Sequence, residues 1–185
     1  MKAISRALWV FAAGLLAIAF GAARATTAQH AVDSGDAWAD WQFMIGEWTA
    51  TDSSGVHGAA SKGSFTLTPG PGGKFLVRQN HAEYPPRDGQ PGIVHDDTMI
   101  IYREHGETRA LYDDNEGQVI HYTVSVSEDK KRIVFVSEKH DGAPQFRLTY
   151  ESLEPNTAKV LFEIAPPNKP GEFKKYVDGT VKRKA

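Results

Sequence analysis

Six polar residues in four short segments carry the side-chain types from which a small-molecule site is built: Arg78 and Asn80, Asp97, Tyr112 and Asp114, and Tyr122. In an extended chain a spacing of two puts Arg78 on the same face as Asn80, and Tyr112 on the same face as Asp114. A guanidinium, an amide, two carboxylates and two phenols can orient the polar end of a ligand. The same groups hold the parts of a cofactor-free isomerase, lyase or hydrolase. There, Asp97 or Asp114 is the general base if burial raises its pKa, and a Tyr or Arg stabilises an oxyanion. Buried charge is costly unless paired, so Arg78 is expected to contact Asp97 or Asp114. A salt-bridge network satisfied within the protein, or an exposed barrel mouth, would use the same residues.

Other chemistries find less support. His81, His95-Asp96-Asp97 and His121 fall on segments that can lie side by side, but no spacing matches a zinc or calcium loop. There is no cysteine to serve as ligand or nucleophile. Asp113-Asp114-Asn115-Glu116-Gly117 reads as a hairpin turn, and the Gly-rich run Pro69-Gly70-Pro71-Gly72-Gly73 is not followed by a helix pattern. No G-x-S-x-G elbow occurs. No metal site is assigned.

The elements that position the six residues are strands. After Gly46 the pattern has period two, in ten runs rich in Val, Ile, Thr, Tyr and Phe: about 47–53, 61–68, 74–84, 93–103, 108–114, 118–127, 131–138, 145–153, 158–165 and 172–183. Short Gly-, Pro-, Asp- and Asn-rich turns separate them, which predicts consecutive hairpins and an all-β antiparallel meander. Closure into a single up-and-down barrel of about ten strands removes the two edges of such a sheet.

Each turn centre sets which residues face one another, and opposed residues share a face. From Ile120, Tyr122, Val124 and Val126, folding back selects Ala110, Tyr112 and Asp114, then Asp97, Met99 and Ile101, then Leu76, Arg78, Asn80 and Tyr84. Folding forward selects Ile133 and Phe135; Phe146, Leu148 and Tyr150; Val160, Phe162 and Ile164; and Phe173, Val177 and Val181. The set is overwhelmingly apolar, which marks it as the interior, and the six polar residues interrupt it on four neighbouring strands. His81, Glu83, Asp96, Arg109 and His121 are expected on the outer face.

The chain begins with the features of an export signal. Lys2 and Arg6 precede a 14-residue uncharged run, ALWVFAAGLLAIAF, and Ala23-Arg24-Ala25 is a small-x-small cleavage pattern. The run falls short of the roughly 20 apolar residues a spanning helix needs. Residues 1–25 therefore read as a signal peptide cleaved near Ala25, 26–36 as a flexible leader and 37–185 as the barrel domain. The expected location is periplasmic or secreted. The absence of cysteine excludes a lipid anchor at that point and any disulfide framework. Removing three basic residues and no acidic ones takes the formal charge from −2 to −5, which does not favour nucleic acid or an anionic membrane as partner. Trp38, Trp41 and Ile45 have helical spacing, so a short helix over 37–45 is expected to close one end of the barrel or to face a partner. Oligomeric state stays open.

The stretch Phe43-Met44-Ile45-Gly46-Glu47-Trp48, a short helix running into Gly-x-Trp, resembles the lipocalin and calycin group. With Val77 to Tyr84, His95-Asp96-Asp97 and Phe162 to Pro167, it is similar to exported bacterial lipocalin-like barrels of unknown function, which are distantly similar to nitrobindin-like heme barrels. The resemblance implies a barrel closed at one end by Gly46, Trp48 and Arg183, with the Arg183 guanidinium over the Trp48 ring. This sequence departs from the nitrobindin pattern at Ala50 and Asp52, and its final three strands hold no histidine. Heme is thereby a minor alternative, and no cofactor is assigned. The leading expectation is a barrel that binds a small apolar or amphipathic molecule. An enzyme on the same scaffold and a fully packed interaction barrel are the rivals.

Overall fold

The computed structural model describes residues 37–55, 60, 62–87 and 89–184; the signal sequence and leader predicted over 1–36 lie outside them. Ten strands follow in order: β1 (Gly46–Gly55), β2 (Lys62–Pro69), β3 (Phe75–Tyr84), β4 (Ile93–Glu104), β5 (Glu107–Asp114), β6 (Val119–Val126), β7 (Arg132–Ser137), β8 (Gln145–Glu154), β9 (Thr157–Ala165) and β10 (Lys174–Arg183). Each pairs antiparallel with the next, and β10 pairs with β1, so the meander closes into a barrel. The ten predicted runs match these strands one for one, with ends that differ by at most two residues.

The register agrees with the turn-centred reading. Ala110 faces Tyr122 and Tyr112 faces Ile120 across β5 and β6; Asp97 faces Asp114; Asn80 faces Asp97. In the other direction Val124 faces Phe135, Phe135 faces Leu148, and Leu148 faces Phe162. Strands β1 and β2 add Trp48 and Phe65 to the same interior face. Phe173 is the exception. Between Lys175 and Val177 β10 carries an extra residue, which reverses the side-chain parity of everything before it. Phe173 accordingly lies on the outside, 4.2 Å beneath the Arg147 guanidinium, and Arg147 is itself paired with Glu163 at 2.6 Å.

One end of the barrel is sealed. The helix predicted over 37–45 is reduced to a 3-10 helix, Ala39–Trp41, followed by a turn. Three residues per turn place Trp38 and Trp41 on one side, and both are buried, at 1% and 2% exposure. Trp38 donates from Nε1 to the Gly73 carbonyl at 3.0 Å, and Trp41 meets Phe135 edge to face at 5.9 Å. Both rings therefore seal the barrel.

Beside them Trp48 donates from Nε1 to the Met44 carbonyl at 2.8 Å, and the Arg183 guanidinium lies 4.6 Å from the Trp48 ring centre. Arg183 also donates to the Phe43 carbonyl at 2.7 Å and to the Ile45 carbonyl, tying the incoming chain to the last strand. Gly46 is required there. Its φ is +132°, and a Cβ on it would stand 2.8 Å from Arg183 Nη1. Above this plug Leu76, Met99, Ile101, Ile133 and Phe135 are fully buried. Among the described residues no helix is long and apolar enough to cross a membrane.

Candidate functional site

The half of the barrel away from the plug is not filled. A cavity of about 490 Å³ remains there, and it has two unlike walls. Strands β8, β9 and β10 contribute Phe146, Val160, Phe162 and Val177, which are only partly buried because they border the space. Strands β3 to β6 contribute Arg78, Asn80, Asp97, Tyr112, Asp114 and Tyr122, so all six predicted site residues line one cavity. A second depression of about 740 Å³ lies over the outer surface of β1 to β5, with Thr49, Thr66, Thr98 and Asp113 in its wall. It is an open groove outside the barrel, and the convergence of charged side chains is inside.

Arg78 and Asp97 form a buried ion pair, each residue 7% exposed. Asp97 also accepts from Asn80 Nδ2 at 2.9 Å. The Arg78 guanidinium lies against two ring faces, Phe65 at 5.5 Å and Tyr150 at 6.0 Å. Arg78 Nε and the Tyr150 hydroxyl have no hydrogen-bond partner among the described residues; the hydroxyl is near the guanidinium but not aligned to accept from it. Burial works against both charges of the pair, and their mutual attraction wins. Asp97 holds the guanidinium above its ordinary pKa, and Arg78, with His95, holds the Asp97 carboxyl below the usual range. The raised pKa that a general base at Asp97 would need is therefore not the one it has.

Asp114 is engaged by its own turn. Its Oδ1 accepts from the backbone N–H groups of Glu116 and Gln118, both at 2.9 Å, and its Oδ2 accepts from the Tyr112 hydroxyl at 3.0 Å. The Asx-type turn at 114–117 explains this aspartate locally before any ligand is invoked.

His95, weighed from the sequence only as a metal ligand, belongs to the cavity wall. His95 Nε2 lies 3.1 Å from Tyr112 Oη and 3.3 Å from Asp97 Oδ2, and Nδ1 lies 3.1 Å from Glu116 Oε1. Hydrogen bonding to Asp97, opposed by burial and aided by Glu116, pushes the imidazole up to about 9. At neutral pH it is an imidazolium donating from both nitrogens, and the Tyr112 hydroxyl in turn donates a hydrogen bond to Asp114 Oδ2. The signal that identifies His95 is parity: it stands two residues before Asp97 on one strand. His81 lies on the outer face instead, 2.6 Å from Asp96, and His121 is exposed, so the three histidines weighed as a metal cluster do not converge.

The His95 contacts carry a pH dependence of known sign. A folded pKa above the unfolded value of about 6.5 contributes stability that is complete below that value and is lost as pH rises through about 9. His95→Gln is expected to cost on the order of 1–2 kcal/mol near pH 6, with a gap to wild type that closes by about pH 10. Urea unfolding at both pH values measures it. A gap that widens with pH would contradict the assignment.

Tyr122 is a further polar group of the cavity wall. It is 2% exposed, lines the cavity and forms no hydrogen bond among the described residues. Its ring is fixed edge to face by Phe135 at 6.1 Å and by Tyr112 at 6.4 Å, and burial pushes its phenol pKa up.

No protein-family model matches this sequence, and no curated protein matches it. Among solved structures, the chain is similar to Rv2717c from M. tuberculosis at 11% identity and a TM-score of 0.56, over 81% of this chain and 98% of that one. It is also similar to the S-type phycobiliprotein lyase CPES from Guillardia theta, at 10% identity and a TM-score of 0.49 over 82% and 96% of the two chains. A de novo designed fluorescence-activating β-barrel aligns at 12% identity and a TM-score of 0.40 over 77% and 95%. Likeness at the level of Rv2717c speaks for the barrel fold and for nothing beyond it.

Proposed function

We propose that this chain is an exported barrel that holds one small, mostly apolar molecule with a polar end. The carrying observation is the cavity of about 490 Å³ left in a barrel whose other half is fully packed. Its size falls within the range of small-molecule sites, roughly 300–1,000 Å³, and its polar groups converge on one wall. Apolar side chains left bordering a cavity forgo burial worth roughly 25 cal/mol per Å². A ligand against Phe146, Val160 and Phe162 restores it. The three-part pattern of residues 1–25 supports export to the periplasm or beyond.

The enzymatic reading is less well supported. Asp97 is held low by Arg78 and His95, and Asp114 is bonded within its turn. Heme is not favoured either. His95, the histidine of the cavity wall, has both ring nitrogens engaged by Asp97, Tyr112 and Glu116 and is held protonated, which is the wrong state for an iron ligand.

The test is a native mass spectrum of the protein purified from its own source. The expected result is a chain beginning at Thr26 with an additional non-covalent mass. Val160→Trp, which puts an indole into the cavity, is expected to abolish that mass while the thermal transition persists. An intact barrel that never carries a ligand would overturn the reading.

A further inference from the structure

Resting on that reading, we infer that the barrel selects an uncharged aromatic molecule bearing a single hydroxyl or carbonyl, and that Tyr122 is the residue that recognises that group.

Charge selection follows from how the polar wall is already used. A carboxylate ligand would need Arg78 or the His95 imidazolium, but Arg78 is paired with Asp97 in a buried contact with its flanks covered by Phe65 and Tyr150, and both His95 nitrogens are engaged by Asp97, Tyr112 and Glu116. Drawing it away would leave Asp97 buried and short of its main partner. The incoming anion would also stand beside Asp97 and Asp114. A cationic ligand fares no better. Asp97 accepts from Arg78 and Asn80 and contacts His95, while Asp114 accepts from two backbone N–H groups and Tyr112. Both buried carboxylates are committed, and the remaining two, Asp52 and Glu116, are exposed, so a charge carried into the cavity would find no uncommitted buried counter-charge.

Of the cavity-wall groups without a hydrogen bond, the Asn80 amide oxygen belongs to a partly exposed residue and Tyr122 to a buried one. The Tyr122 side chain is 2% exposed and borders the cavity, and no hydrogen bond to its hydroxyl occurs among the described residues. A hydroxyl or carbonyl on the ligand satisfies it. The Arg78 Nε and Tyr150 hydroxyl are also unpartnered, but they are closed off within the guanidinium–ring stack.

The aromatic preference comes from the opposite wall. Phe146 and Phe162 stand nearly parallel, with centroids 5.9 Å apart and planes at 11°, and Tyr176 meets Phe162 edge to face at 5.9 Å. All three border the cavity and remain partly exposed. A ligand ring extends this cluster through the offset and edge-to-face contacts aromatic pairs prefer, with the Tyr112–Tyr122 pair on its other side.

The experiment uses four probes that share one ring system: 2-naphthol, 2-methylnaphthalene, 2-naphthoate and 2-naphthylmethylammonium. Binding to the mature protein at neutral pH is followed by fluorescence. We expect 2-naphthol to bind at least tenfold more tightly than either charged probe. Tyr122→Phe, a change confined to one oxygen, is expected to weaken 2-naphthol about 3- to 10-fold and leave 2-methylnaphthalene within twofold. Tighter binding of either ion, or an equal effect of Tyr122→Phe on both neutral probes, would overturn the inference. Absence of naphthalene binding would overturn it as well. Should the native protein still carry its own ligand in that case, the binding reading stands and only this assignment falls.

Discussion

Asp97→Ala is expected to lower the unfolding free energy by about 3–5 kcal/mol, the largest effect of any single change in the site. The substitution leaves Arg78 charged, 7% exposed and without its carboxylate, and it also removes the acceptor of Asn80 and a contact of His95. The loss reflects the stranded cation more than the net worth of the pair. Adding Arg78→Met should therefore recover most of it, because methionine fills much of the same volume against Phe65 and Tyr150 without a charge. Urea unfolding of the wild type, the two single variants and the double variant completes the cycle. A loss below about 1 kcal/mol for Asp97→Ala would mean that Arg78 finds water or another partner, and the buried ion pair would lose its place at the centre of the polar wall.

Trp48→Ala is expected to cost about 3–5 kcal/mol, at the other end of the barrel and for a different reason. The indole is 2% exposed and packs on Phe65 with centroids 6.1 Å apart. It also donates to Met44 and carries the Arg183 guanidinium on its face. Its loss opens a void where the last strand, the first strand and the incoming chain meet. Gly46→Ala tests the same junction from the backbone side. A positive φ and a Cβ 2.8 Å from Arg183 Nη1 should together cost of order 1–3 kcal/mol. Thermal and urea unfolding measure both. A Gly46→Ala protein as stable as wild type would show that Arg183 moves aside freely and that its bonds to Phe43 and Ile45 contribute little.

Much of this architecture was legible before any coordinates. Strand existence depends on local pattern, and turn centres depend on Gly, Pro, Asn and Asp, so ten strands and their facing residues followed from a period of two. That parity alone gathered Arg78, Asn80, Asp97, Tyr112, Asp114 and Tyr122 onto one face. It failed at Phe173, because a bulge is one extra residue and leaves no distinctive mark in the pattern. It would have included His95 had the same rule been carried two residues toward the start of β4. The tryptophans of 37–48 were visible as a cluster, but an apolar spacing does not separate a helix that seals its own barrel from one that faces a partner.

By itself, then, the sequence determined the strands, their order and, Phe173 apart, the inner and outer faces, together with the charge pattern. The tertiary structure decided the rest. It chose Asp97 over Asp114 as the partner of Arg78, gave Asp114 to its own turn, brought in His95 and left Tyr122 unpaired over a cavity. Side-chain parity is a property of each strand and survives in one dimension. Which groups touch, and where space remains unfilled, depends on how ten strands tilt and close on one another, and that closure is a property of the whole barrel.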